Sequence, residues 1–526
     1  MDPELLSPDK RSDHVPTDLE ASTKPQTGEA GSGGYGYIDS VIERRVVRKL
    51  DRRIPTLLGF LYLLGFLDRS NIGNARIAGM EEDLKLDGNR YEWLLTSFYI
   101  SYLVFQFQGM MWKIIPPHIW AAFTVFAWGI VATCQAAVFS WKAEMALRFL
   151  LGISEAGFAP GIPFMLSFFY RRNELGFRSG LFVSAAPLAS TFAGALAYGI
   201  TLAHTKLASW RLLFLVEGIP TLLMVPVVFG FLPDSPAKAK FLTEEEKEVA
   251  RARAMRQVGT VDRGGGGVSW REVGDTLMDA KAWLVALMYF SCNVSYSSLP
   301  VFLPSILKEM GFTAINAQGL SAPPYFLSFM ISVFTPWVAD RYQQRGLVIA
   351  ILSIVGVIGY ILLATCRSVV PRYIGVWLAA SGVFPCIANI LPWVLSKLFS
   401  ATANNLNNIY SFHNLTDVKD NQGSDTRRGM GIIILNIVGQ CGPLLGSNIF
   451  PESNGPLYVR GQLICALFMG FNCFLAILLR TLFARENRKL DIRYGTLAER
   501  ARQRVESGVQ SVIAEDNFGP DYRFVL

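Results

Sequence analysis

A chain of 526 residues with 51% hydrophobic side chains, only 17% charged ones and a mean hydropathy of +0.31 is too apolar for a soluble protein of ordinary composition. It reads as an all-α polytopic membrane protein. The net charge of +7 is modest and its basic residues cluster beside apolar runs, which argues for membrane topology and against a nucleic-acid partner. The seven cysteines are scattered without a CxxC pair, as small packing residues would be.

Residues 1–40 are rich in Ser, Pro, Gly, Thr, Asp and Glu, the composition of a disordered tail, and no apolar core of a cleavable signal peptide precedes residue 54. ERRVVRKLDRR (43–53) then sets six basic residues just ahead of the first apolar run, which by the positive-inside rule places the N-terminus in the cytoplasm. That run, 54–67, has 14 residues, short of the roughly 20 a spanning helix needs. The helix is therefore expected to continue through DRSNIGNA (68–75), carrying Asp68, Arg69, Asn71 and Asn74 to membrane depth. The alternative is a helix that ends at Asp68 and is capped outside.

Further spans are predicted at about 91–112, 119–138, 143–170, 177–201, 210–232, 282–304, 319–339, 347–365, 373–396, 429–450 and 458–483. Between the sixth and seventh, TEEEKEVARARAM predicts a short charged helix with a Thr cap, and GGGG (264–267) a flexible joint. This gives 12 transmembrane helices in two six-helix bundles (54–232 and 282–483), a central loop (233–281) and two tails (1–53 and 484–526), with loop and tails cytoplasmic. The Asn-rich stretch 396–420 reads as an insertion, of the kind an intron translated in frame would leave.

The fourth span lies in EMALRFLLGISEAGFAPGIPFMLSFFYRR (144–172) and carries Arg148 and Glu155, seven positions apart. On a helix both leave one face about 10 Å apart along the axis. Charges in hydrocarbon face a cavity, water or each other, so the pair marks a functional site; a structural ion pair or a snorkelling Arg148 is the alternative. Gly157 and Gly161 form a GxxxG step suited to close helix packing.

LDRSNIGNARIAGM (67–80), RFLLGISEAGFAPG (148–161), SWRLLFLVEGIPT (209–221), PDSP (233–236) and NQGSDTRRG (421–429) together resemble the anion:cation symporters of the major facilitator superfamily, and within them the fungal allantoate permease branch with its nicotinic acid and pantothenate transporters. The resemblance covers about 50–490 and implies two bundles rocking about a midplane site. It implies that Arg69 and Arg148 hold a carboxylate substrate while Asp68 and Glu155 carry the proton. By position, Tyr102, Asn436 and Gln440 resemble polar substrate contacts. The seventh span, SCNVSYSSLP (291–300), has no arginine, which makes Asn293 its candidate contact.

The superfamily gating pattern is degraded after the second span, GMMWKIIPPH (109–118), but nearly complete in ADRYQQRG (339–346), with Asp340, Arg341 and Arg345 as the cytoplasmic gate. No nucleotide-binding, clustered metal-ligand or nucleophile motif appears in a supporting context, so neither an enzyme nor a cofactor or metal is expected. The expected activity is proton-coupled uptake of a small organic anion by a plasma-membrane monomer, with proton and anion as partners in the lipid bilayer. Export of a secondary metabolite and nutrient sensing are the alternatives. The fifth span lacks the GxxxGPxxGG-like pattern of proton antiporters and the tails are short, which lowers both.

Overall fold

A computed structural model of the chain describes residues 40–166, 168–170, 172–203, 206–258, 270–397, 423–500, 502 and 523–525. The expected N-terminal tail up to residue 39, the joint at 264–267 and the Asn-rich stretch from residue 398 on lie outside them. In chain order the principal helices are α1 (Ser40–Asp51), α2 (Ile54–Ser70), α3 (Arg90–Val104), α4 (Pro117–Cys134), α5 (Trp141–Ala156), α6 (Arg172–Leu202), α7 (Ser209–Phe231), α8 (Glu244–Val258), α9 (Trp270–Leu277), α10 (Ala280–Glu309), α11 (Ala314–Tyr342), α12 (Arg345–Thr365), α13 (Val369–Lys397), α14 (Gly423–Gly446) and α15 (Val459–Tyr494).

Local chemistry starts these helices where the chain supplies it. Ser140 accepts from Ala143 N at 3.3 Å ahead of α5, and Thr313 accepts from Asn316 N at 3.3 Å ahead of α11. α8 opens with the expected Thr cap: Glu246 N donates to Thr243 Oγ1 at 3.3 Å, and Thr243 N donates back to Glu246 Oε2 at 3.0 Å.

Among the described residues, seven helical segments are long and apolar enough to cross a membrane, those at Pro117–Ala137, Glu174–Leu202, Ser209–Phe231, Ala280–Glu309, Arg345–Thr365, Val369–Trp393 and Val459–Arg500. The others carry charges or breaks that length and composition penalise, the first span above all. α2 ends at Ser70, yet Asn71 N donates to Leu67 O at 3.0 Å and Ala75 N to Asn71 O at 2.8 Å, so the helical ladder runs on into Ile72–Ala75. Asp68, Asn71 and Asn74 are buried there, as the continuing-helix expectation required.

Packing sorts the helices into inner and outer sets. In α10 and α13, 78% of the most apolar stretch is buried, against 33% in α7, whose Leu223 and Phe229 face outward with Phe123 of α4 and Ile358 of α12. Such a band of exposed apolar side chains suits a lipid solvent. Inside, α6 packs along α11 and α3 against α14, joining the two halves of the chain, while α10 runs along α14 within the second half.

At the end where α2 finishes, the halves touch backbone to backbone. A Cβ at Gly73 would collide with the Val301 carbonyl of α10, so only glycine permits this approach. Tyr91 donates to Val301 O at 3.4 Å, Gln318 to Asn74 O at 3.3 Å, and Arg76 bridges Glu81 and Glu452, the latter at 2.8 Å.

The opposite end is tied by charge. Arg178 of α6 grips Asp51 of α1 through two nitrogens at 2.6 and 2.7 Å, Arg253 of α8 reaches Glu174 at 2.6 Å and Glu43 at 3.2 Å, and Lys49 pairs with Glu246 at 2.7 Å. Arg523–Val525 also dock there: the Phe524 ring stacks on Phe483 at 4.8 Å, and Asn487 both donates to the Phe524 carbonyl (2.7 Å) and accepts from its N–H (2.6 Å).

Candidate functional site

Where the halves meet, the chain encloses a cavity of about 1010 Å³ unfilled by protein atoms, its mouth included. Helical spacing builds its walls. Tyr62, Phe66 and Arg69 stand at i, i+4 and i+7 on α2; Tyr289, Asn293 and Tyr296 repeat that spacing on α10; Asn436, Gln440 and Pro443 repeat it on α14. Each helix thus offers one polar stripe to a common space.

Arg69 is the only cation lining this cavity among the described residues. Its Nε and Nη2 donate to Glu155 Oε2 of α5 at 3.1 and 2.7 Å, and the guanidinium lies 4.7 Å from the Tyr102 ring centre and 5.0 Å from that of Phe98. A charge-assisted fork of this kind is strong in a low dielectric, and the rings on α3 offer the cation their negative faces. α3 and α5 come close enough to do this because position 152 is glycine: a Cβ there would strike Ser101 and the Phe98 carbonyl. The end of α5 is held by two indoles, Trp112 and Trp120, both donating to Gly157 O, at 2.8 and 3.0 Å. The Gly157 and Gly161 step thus packs closely against neighbouring helical segments, with the Trp112 and Trp120 rings seated on it.

Five of the expected contacts, Arg69, Tyr102, Asn293, Asn436 and Gln440, line the cavity together. Asn293 also donates to Gly439 O at 3.1 Å, which fixes its amide across the α10–α14 seam. Arg148 and Asp68 lie elsewhere. Arg148 is 1% exposed and outside the cavity lining; its Nε donates to Glu144 Oε1 at 3.3 Å and its Nη1 to the Arg69 carbonyl at 3.4 Å. The seven-residue spacing of Arg148 and Glu155 is therefore not an ion pair here: each finds another partner. Asp68 precedes Arg69, and neighbours on a helix diverge by about 100°. Its carboxylate accordingly turns from the cavity toward α7, where Thr221 donates to it at 3.4 Å.

At the charged end, Arg345 pairs with Asp340 as expected of a gate, and its guanidinium presses on Gly176 of α6 in the other half. Arg341 is exposed. The sequence reading missed the aromatic share of the cavity, including the Tyr62–Tyr296 hydroxyl contact at 3.2 Å. The signal was present as the i, i+4, i+7 stripe through Arg69. It also gave no role to Glu144 or Glu217, both buried. No cluster of His, Cys, Asp and Glu able to hold a metal ion occurs among the described residues.

A family model described as Major Facilitator Superfamily matches residues 58–413. The MFS transporter prlL of a fungal species (strain NRRL 50135) is 33% identical over 74% of this chain and 80% of its own length. The high-affinity nicotinic acid transporter of Saccharomyces cerevisiae is 29% identical over 81% of this chain and 79% of its own. Among solved structures, the human organic anion transporter MFSD10 superposes with a TM-score of 0.56 at 15% identity, covering 82% of this chain and 99% of its own, a likeness of fold.

Proposed function

The chain belongs to the major facilitator superfamily, a family of multi-pass membrane transporters and not of enzymes, and from that premise we propose that it takes up a small organic carboxylate together with protons. On this reading the chain spans the membrane twelve times as a monomer in the plasma membrane, with both tails cytoplasmic, and the two halves rock about the central cavity. The observation that carries it is the Arg69–Glu155 pair, which sets one cation on the cavity wall and neutralises it with a buried acid of α5 outside the lining.

An empty cavity keeps Arg69 satisfied by Glu155. Protonation of Glu155 releases the guanidinium fork, and a substrate carboxylate takes the vacated place on the same two nitrogens. Arg148, bound to the Arg69 carbonyl, braces the backbone that presents this fork. Moving protons in excess of substrate charge draws on about 2.3 kcal/mol per charge per 100 mV of membrane potential. Tyr62, Phe66 and Tyr296 give a flat guest aromatic faces to pack on, and Asn293, Asn436 and Gln440 give its polar edge hydrogen bonds. With a nicotinic acid transporter among the relatives, nicotinate is the first candidate, ahead of pantothenate and allantoate.

The test is uptake of radiolabelled nicotinate, pantothenate and allantoate by the full chain in liposomes under an inward proton gradient. At least one is expected to accumulate against its own gradient and to stop doing so with a protonophore. Uptake of none, or accumulation indifferent to the protonophore, overturns the reading.

A further inference from the structure

We propose that Arg523–Val525 is an intramolecular strap: docked at the charged end of the second half, it clamps the Trp393 indole over Gly346 and so holds Arg345 against the first half. The inference goes beyond the symport reading above. It rests on two halves that rock about the cavity and on no particular anion or proton.

The second half meets this short segment group by group. The Phe524 ring, 7% exposed, lies on Phe483 of α15 with 8° between the planes, and Lys281 Nζ of α10 sits 5.6 Å from its centre. Asn487, one turn past Phe483, holds both backbone groups of Phe524, and Asp491, one turn further, accepts from Arg523 Nε at 2.6 Å. Phe483, Asn487 and Asp491 thus form one stripe of α15 that offers a ring, an amide and an acid in turn. Arg523 Nη2 donates to Gly495 O at 2.6 Å just past the helix, and Trp393 Nε1 of α13 donates to Val525 O at 3.2 Å. Side chain and backbone of the segment are both read, which a chain lying loosely on a surface does not achieve.

From Trp393 the contacts lead to the gate. The indole is 2% exposed and lies so close to Gly346 that a Cβ there would stand 3.0 Å from the ring. The same Cβ would stand 3.0 Å from Arg480 Cβ of α15, and Arg480 Nε and Nη2 donate to Gln344 Oε1 at 3.1 and 3.0 Å. The turn 344–346 is therefore gripped between Trp393 and Arg480, and Arg345 in its middle is presented to Asp340 and to Gly176 of α6. Pro392, the residue before Trp393, also faces Gly176, 3.7 Å from where a Cβ would stand. One edge of α13 thus carries both the strapped indole and a contact with the first half. Parting α13 from α6 strains the Val525 and Phe524 contacts; with the segment drawn off, Trp393 loosens, Gly346 with it, and the charged end opens more readily.

Hydrogen–deuterium exchange of the full chain in liposomes tests the strap without any substrate. In the parent protein the Phe524 amide is expected to be protected, and peptides covering 340–347 and 174–180 to exchange slowly. Phe524→Ala removes the stack and Asn487→Ala the backbone clamp, so each should speed exchange in both peptides about fivefold or more, with the contacts at 72–76 and 447–452, at the end where α2 finishes, unchanged. Phe524→Tyr keeps a ring on Phe483 and should behave as the parent. A contact that only stabilised its own surroundings would loosen 340–347 and α15; 174–180 belongs to the other half and moves with the gate. An unprotected Phe524 amide, gate peptides that neither alanine variant moves, faster exchange at 340–347 without 174–180, equal loosening at 72–76, or Phe524→Tyr behaving as Phe524→Ala each overturns the proposal, whatever anion the protein carries.

Discussion

The two walls of the cavity differ in kind. The wall from the first half holds a cation, Arg69, paired with Glu155 outside the lining, with Tyr99 and Tyr102 beside it. The wall from the second half presents Tyr289, Asn293, Tyr296, Asn436 and Gln440, and no charged side chain lines it among the described residues. The contrast continues behind the walls. Asp68, Glu144 and Glu217 are buried behind the first, while behind the second Asn472 donates to Ser353 Oγ at 2.9 Å and to Cys386 Sγ at 3.1 Å in a neutral network. Energetically, the first half bears the desolvation cost of charge, and the second offers hydrogen bonds and aromatic surface that discriminate shape. On the proposed reading, one half holds and couples and the other selects.

Substitutions can break that division, and the largest effect is expected at the charged wall. Arg69→Lys keeps the cation but loses the fork to Glu155; uptake of labelled nicotinate by liposomes should fall at least a hundredfold, about 3 kcal/mol, with the protein still monodisperse by gel filtration. An equal loss from Asn293→Ala would erase the distinction between the walls. Next comes Glu155→Gln, which is expected to leave counterflow exchange in place while accumulation driven by a pH gradient drops tenfold or more; gradient-driven accumulation that survives removes Glu155 from the coupling.

At the neutral wall, Asn436→Ala and Gln440→Ala each remove about one hydrogen bond, so half-saturation should rise roughly fivefold and the preference between nicotinate and pantothenate should change. The pH dependence of uptake should not move, and a shift there would show the second wall sharing in coupling. Smallest of all, Phe524→Ala should slightly lower the melting temperature by unstacking Phe483, with the pH profile untouched.

Much of this was legible in the chain. A 14-residue apolar run is short for a bilayer, and that deficit alone predicted that the helix continues past Asp68 through Arg69, Asn71 and Asn74, as its ladder does. The polar stripe through Asn436 and Gln440 follows from helical spacing. What spacing cannot give is which face of a helix meets which neighbour. The resemblance made Asp68 and Arg69 one pair, yet consecutive residues on a helix diverge by about 100° and meet different neighbours. Arg148 and Glu155 read as one functional site because they share a face, with an ion pair as the alternative, but each is held by another group, Arg148 by Glu144 one turn earlier on α5 and Glu155 by Arg69 of α2. The docking of Phe524 on Phe483 likewise joins segments with no shared pattern.

The continuity of α2 through Asn71 has a mechanical consequence. The cavity-lining arginine and the acid turned toward α7 are consecutive residues of one stiff rod, so neither can be displaced without carrying the other. On the reading proposed above, slippage, in which a proton crosses without its passenger, requires this rod to be unwound. The rungs from Asn71 to Leu67 and from Ala75 to Asn71 are then the clutch of the machine, and loosening them would uncouple it while both binding surfaces stayed intact.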